Sequence, residues 1–212
     1  MNWLPWNEAL GLIDLPAGYS VQALRSDHLA GVTAALPEWY PDITFGVNSV
    51  FLREDFYRER VCLDGALDKD VIMLTLWHGD ELVGVWSGER EVDSLVLWGR
   101  IVAVAPPHAG QGLTRRITEG MEECGRRMGV AFIYAMVTLR HRVTQQVLES
   151  AGYRLLGMFP GFDRELVAPG VVKRVYQAVY AKLLAPEDKV LRPNPQNMTP
   201  TTSALYALLF PD

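Results

Sequence analysis

The sequence predicts an α/β protein of the α+β kind. It should form a twisted, mixed but mostly antiparallel sheet of six to seven strands, with helices on both faces and a C-terminal extension. Three observations carry this. Residues 71–77, 82–87 and 95–104 are apolar, β-rich runs joined by short polar connections, and short turns join only antiparallel neighbours. In residues 113–128 the apolar side chains Leu113, Ile117, Met121, Cys124 and Met128 recur at helical spacing on one face. A strand precedes that helix and another, 130–137, follows it, so the crossover makes those two strands parallel.

Taken in order, residues 1–18 hold Trp3 and Trp6 but are broken by Pro5 and Pro16, and read as an irregular lead-in. Residues 19–24 form a first strand. Ser26 or Asp27 caps a helix over 29–36, which ends at Pro37. A second helix spans 48–63, after a break crowded with Trp39, Tyr40 and Phe45, which can wall a pocket. The three-strand meander follows, with His78-Gly79-Asp80 as a hairpin turn and 88–93 as a polar connection. On the 113–128 helix, Glu122 and Glu123 precede Arg126 and Arg127 by four residues, the favourable order. Gly129 ends that helix in a left-handed cap. Residues 141–150 form a further helix with Val143, Val147 and Leu148 inward, stopped by Gly152. Strands over 153–158 and 174–183 close the domain, with a turn at Phe159-Pro160-Gly161-Phe162. Residues 185–212 form a Pro-rich tail ending in a short helix whose Leu205, Leu208 and Leu209 share a face. So short a helix must dock on the body or on a second subunit, making a homodimer.

Composition narrows the function. With 212 residues, the chain is long enough for one domain, 19–184, flanked by the lead-in and the tail. A formal net charge of -5 speaks against the basic face of a nucleic-acid binder. No apolar run approaches the ~20 residues that span a bilayer. The N-terminus lacks a basic segment followed by a long apolar run, so a reduced, cytoplasmic protein is expected. Cys62 and Cys124 do not make a disulfide framework, and the four His show no metal-ligand spacing, so no metal is expected.

The chemistry is concentrated between residues 101 and 114. An apolar strand, Ile101-Val102-Ala103-Val104, runs into Pro106-Pro107-His108-Ala109-Gly110-Gln111-Gly112 and then into the helix. The first N–H groups of a helix have no intrahelical partner, and the helix dipole adds positive charge there. Glycine lets an anion approach the backbone without meeting a Cβ. The stretch reads as a pyrophosphate cradle.

In element order and in this turn, residues 19–184 resemble the GNAT superfamily of acyl-CoA-dependent N-acyltransferases. Val104, Pro106, Gly110, Gly112 and Leu113 match the family's pattern Val-x-Pro-x-x-Arg-Gly-x-Gly-Leu-Gly, and Gly152-Tyr153 resembles its later Gly-Phe. The chain departs at Ala109, where Arg or Gln is usual, and at Thr114, where Gly or Ala is usual. Leu148 replaces the Tyr that often protonates the departing thiolate, whereas Thr138, His141, Thr144 and Gln145 resemble a Thr-x-x-His-x-x-Thr/Ser-Gln branch.

The resemblance implies transfer of an acetyl or other short acyl group from coenzyme A to an amine of a small molecule or peptide. The coenzyme would be held by Val102, Ala103, Val104, Ala109, Gly110, Gln111, Gly112, Leu113 and Thr114. It also implies that the strand before the cradle and the strand after the helix splay apart to admit the pantetheine arm. The amine must lose a proton. Glu89 and Glu91, with Asp93 near, lie where many relatives keep a carboxylate; His141, at a helix start, is the other candidate base. The departures leave open a second reading, a catalytically inactive binding module with acyl-CoA as effector or absent.

Overall fold

The computed structural model describes residues 1–211. Its strands are β1 (Tyr19–Ala23), β2 (Val71–His78), β3 (Glu81–Glu91), β4 (Val96–Val104), β5 (Phe132–Thr138), β6 (Arg154–Ala168) and β7 (Val171–Leu183). They form one seven-stranded sheet in the order β1-β2-β3-β4-β5-β7-β6, in which only β4 and β5 are parallel. The helices are α1 (Trp6–Gly11), α2 (Leu29–Trp39), α3 (Glu54–Arg60), α4 (Leu113–Met128), α5 (Val143–Ser150) and α6 (Pro200–Leu209).

Two hydrophobic cores lie on opposite faces of the sheet. Leu113, Ile117, Met121 and Cys124 of α4 meet Ile72, Leu74 and Leu76 on one face; Leu29, Val32 and Leu36 of α2 meet Val71 and Met73 on the other. Alternate residues of β2 thus feed both cores, and residues 71–76 are all buried. The α4 stripe sits where its spacing placed it. Gly120 faces the N-terminal segment so closely that a Cβ would come within 2.7 Å of Ile13 Cγ1 and 2.9 Å of the Leu12 carbonyl.

A bulge in β4 changes which face its residues use. Ser87 pairs with Ile101 and Gly88 with Gly99, which leaves Arg100 unopposed. One extra residue turns a strand over. Leu97 therefore packs with the α4 core, while Ile101 and Ala103 pack with the α2 core.

Several expectations need correction. The lead-in contains α1, and Trp3, Ala9 and Ile13 are buried against the body. Pro37 lies inside α2, which runs on to Trp39 because Leu36 is fully buried beneath it. Neither expected cap serves that helix: Ser26 donates to Asp64, and Asp27 pairs with Arg25. The expected 48–63 helix is split at extended Arg53 into a 3-10 turn, Val47–Leu52, and α3. The polar residues 88–91 continue β3 instead of forming a connection. Val143 faces solvent.

The largest difference is in β6. The expected turn at 159–162 is a bulge on the edge strand. Phe159 pairs with Gln177 and Asp163 with Val175, so Pro160, Gly161 and Phe162 lie opposite the single Tyr176. A proline without an N–H is tolerated at such a place. The chain reverses only after Ala168, at Pro169-Gly170.

The tail docks by its end. Arg154 Nη2 donates to the Leu209 carbonyl at 2.6 Å, and its guanidinium lies 5.3 Å from the Phe210 ring centre. No residue of α6 is buried. Among the described residues, no helix is long and apolar enough to cross a membrane.

Candidate active site

The site begins where the one parallel pair of strands comes apart. β4 and β5 are paired from Val96–Phe132 to Gly99–Ala135 and no further. Beyond Gly99, β4 continues to Val104 beside β3, and β5 continues to Thr138 beside β7. Each strand then presents an edge of unpaired backbone groups to the gap. The Arg100 bulge lies at the point of divergence, and a bulge bends its strand and increases the twist. The gap opens into a cleft of about 1010 Å³, solvent mouth included, walled by Thr114, Thr118 and Met121 of α4 and by Thr144 and Val147 of α5.

The glycine turn leads into that wall. Gly110 and Gly112 have φ of +79° and +77°, and a Cβ on either would meet nothing within 4 Å. The first helical bond here runs from Arg116 N–H to the Gly112 carbonyl at 3.0 Å. The N–H groups of residues 110–115 have no hydrogen-bond partner among the described residues. This is an open backbone cradle at the positive end of a 16-residue helix. Ala109 and Gln111 are exposed in the turn, the Leu113 side chain is buried under α4, and Thr114 lines the cleft. Val102, Ala103 and Val104 lie on the free stretch of β4. The nearby guanidinium groups are engaged, Arg115 with Glu119 at 2.8 Å and Arg116 with Asp14 at 3.0 Å.

The far wall is acidic and comes from β6. Glu165 is buried and accepts hydrogen bonds from Thr138 Oγ1 and Arg140 Nη1, each at 3.2 Å, and from Gln177 Nε2 at 3.3 Å. Burial raises its carboxyl above the usual carboxylate range, against the opposing pull of Thr138 and Arg140. Arg140 also pairs with Asp42 at 2.7 Å. Asp163, buried beside Glu165, accepts the N–H of Val47 at 2.9 Å and so ties the 47–52 turn to the cleft. Tyr40 lines the same wall. Its burial, helped by the Glu165 and Asp42 carboxylates, pushes its hydroxyl well above its ordinary value.

The sequence-derived base candidates fare unequally. His141 lines the cleft, its ring 5.9 Å from that of Tyr40, but it precedes α5, for which Arg142 is the cap. Glu89 lies beside the cleft in β3, with its carboxylate held by Arg100 at 2.7 Å and Arg60 at 3.4 Å. Glu91 sits in the hairpin beyond, accepting the N–H groups of Ser94 and Asp93 at 2.8 and 3.1 Å, and the Ser94 side chain, with these N–H groups, lowers its pKa. It does not line the cleft. Arg100 does. Its guanidinium lies 4.5 Å from the Trp98 ring centre, and its buried Nε has no hydrogen-bond partner among the described residues. The sequence reading misses Asp163 and Glu165 because it ends β6 at Met158, and with them Asp42, Arg140 and Gln177, which only the folded chain gathers around Glu165.

The sequence matches no family model and no curated protein. Solved structures do match. The ribosomal L7/L12 alpha-N-protein acetyltransferase RimL, in complex with coenzyme A, aligns with a TM-score of 0.62 at 11% identity, covering 81% of this chain and 97% of that one. A GCN5-related N-acetyltransferase from Kribbella flavida aligns with a TM-score of 0.61 at 15% identity, covering 80% and 99%. Arabidopsis thaliana NAA60, bound to a bisubstrate analogue, aligns with a TM-score of 0.60 at 10% identity, covering 79% and 99%. With its mostly antiparallel seven-stranded sheet and its one parallel pair, β4 and β5, the chain has the α+β fold of the GCN5-related N-acetyltransferases.

Proposed function

We propose that the chain is an acyl-CoA-dependent N-acyltransferase that transfers an acetyl or other short acyl group to an amine of a small molecule or peptide. One observation carries the reading: the unpaired edge of β4 runs without interruption from the Arg100 bulge to the open glycine turn. A long ligand with a phosphate-bearing end and an extended amide-bearing arm matches both parts. The free N–H groups of 110–115 would take the pyrophosphate, and the β4 edge would pair with the arm. Neither Ala109 nor Thr114 impairs this, since the donors are backbone groups.

Bound coenzyme supplies an acyl carbon activated as a thioester. This chain's own residues do the rest. Asp163 and Glu165 line the far wall, and with Asp42 behind them they outnumber the one cation, Arg140, that pairs with Asp42 and Glu165, which favours a cationic acceptor, the state in which an aliphatic amine arrives at neutral pH. Glu165 is the proton acceptor best suited to it, because burial brings its pKa toward the working range. His141, at the mouth, is a second acceptor and a route for the proton to solvent. Tyr40, kept protonated by its surroundings, would donate a hydrogen bond to the leaving thiolate, and the thiolate would take its proton from the amine by way of Glu165 or from solvent. Glu89 serves by orienting Arg100.

The test is calorimetric titration with coenzyme A, followed by a thiol-release assay with acetyl-CoA and a panel of small amines and peptides with free α-amines. RimL is an alpha-N-protein acetyltransferase, which is the reason to include peptides. Absence of binding at millimolar coenzyme overturns the reading. Binding without turnover on any amine favours the inactive module.

A further inference from the structure

We propose that His78, Glu81 and His108 form a binding site for a divalent transition metal of the zinc type. The fold assembles the three from distant parts of the chain. His78 and Glu81 are direct cross-strand partners at the β2–β3 turn, so their side chains share one face. His108 comes from the 3-10 turn Pro106–His108, between β4 and α4. One ligand atom from each lies within 4.8 Å of the others, and His108 Nε2 is 3.6 Å from Glu81 Oε2. Ligands on a tetrahedral zinc stand roughly 3.3 Å apart, given bonds of about 2.0 Å, so small side-chain rotations close the set.

Three further features make this a built site. The Tyr19 hydroxyl lies 2.9 Å from His108 Nδ1. When it accepts that N–H, the Nε2 lone pair is left for a metal, which is how protein zinc sites orient a ligating imidazole. The rings are packed together, with His78 at 4.8 Å from Tyr19 and 5.3 Å from His108 between centres, and the His108 side chain is only 12% exposed. Among the described residues, no Lys or Arg pairs with the exposed Glu81, so its carboxylate is free to turn toward the two imidazoles. Two imidazoles and one carboxylate suit Zn²⁺, Co²⁺, Ni²⁺ or Cu²⁺ and not Mg²⁺ or Ca²⁺. None of the three lines the cleft. A bound ion would fasten the β2–β3 hairpin to the turn that leads into Gly110.

The experiment uses the untagged full-length chain, stripped with chelator. Zn²⁺ is titrated calorimetrically, and Co²⁺ is followed by its visible absorption. One equivalent should bind, with the intense absorption of a four- or five-coordinate ion. Glu81→Gln and His78→Ala should each weaken Zn²⁺ binding at least tenfold, and Tyr19→Phe by roughly tenfold. Glu81→Gln alters an exposed side chain, so circular dichroism should show an unchanged fold. Failure of the wild type to bind, or wild-type affinity in both Glu81→Gln and His78→Ala, overturns the proposal.

Discussion

Replacing Gly112 by Ala separates coenzyme binding from folding, because α4 carries its own control. Both of its caps are left-handed glycines, Gly112 at φ +77° and Gly129 at φ +76°, and a Cβ on either meets no heavy atom within 4 Å. Steric clash is absent in both. The cost of each substitution is that of holding an L residue in the left-handed region, about 1–2 kcal/mol. For a domain of this size that is a fall of roughly 2–8 °C in Tm. Only at position 112 does the new methyl group stand beside the free N–H groups of the turn. A phosphate displaced from one charge-assisted hydrogen bond there loses about 1.5–3 kcal/mol, or roughly 10- to 150-fold in Kd. Scanning calorimetry and titration with coenzyme A on Gly112→Ala and Gly129→Ala measure both quantities. The two should melt alike, and only Gly112→Ala should lose coenzyme. Unchanged affinity in Gly112→Ala, or equal loss in both, would refute the cradle.

Four other variants give further expectations. Glu165→Gln should lower kcat/KM by about 10²- to 10⁴-fold in the thiol-release assay if Glu165 is the base. Because burial raises the Glu165 pKa in the folded state, the stability this group contributes is full below its unfolded pKa and lost as pH rises through the folded one. The Tm of Glu165→Gln should therefore rise relative to wild type between acid and neutral pH; a constant difference would contradict the shift. Arg140→Ala removes a group that holds that pKa down, so the acidic limb of the pH–rate profile should move to higher pH. Gly120→Val forces a Cβ against Leu12 and Ile13 backbone and should cost about 1–3 kcal/mol in urea unfolding, with Trp3 and Trp6 fluorescence reporting release of the N-terminal segment. Leu205 and Leu208 of α6 are 49% and 75% exposed; if they meet a second copy of the chain, deleting residues 186–212 should halve the particle mass in light scattering, and an unchanged number of chains per particle rejects the tail as a subunit contact.

What could be read from the sequence was whatever local periodicity decides. The Leu113–Met128 helix carries its apolar stripe and both glycine caps within one stretch, and its start and approximate end are legible there. The meander was legible because its runs are apolar and its turns short. The parallel pairing of β4 and β5 followed from the crossover alone. Errors fell where tertiary contacts override local preference. Pro37 breaks an isolated helix, but in α2 the burial of Leu36 and Val32 outweighs one lost hydrogen bond. Pro160 and Gly161 signal a turn, yet β7 supplies a full-length partner, and the signal becomes a bulge.

That bulge explains why the acidic wall was invisible. Asp163 and Glu165 alternate with Phe162 and Arg164, so a strand reading would have placed the two carboxylates on one face. Burying a pair of acids is unfavourable without partners; those of Glu165 are Thr138, Arg140 and Gln177, 12 to 27 positions away, and that of Asp163 is the Val47 N–H, 116 positions away. No local window contains both halves of that arrangement. The same holds for Arg100. Its type and position are plain, but whether it faces a core or a cleft depends on a register slip against Ser87 and Gly88. It holds too for His78 and His108, whose separation of 30 positions is closed only by the sheet. The cradle belongs to one segment and can be read from it. The groups that would move protons, Tyr40, His141 and Glu165, come from three distant segments and meet only at the cleft, so their roles must be tested on the folded chain.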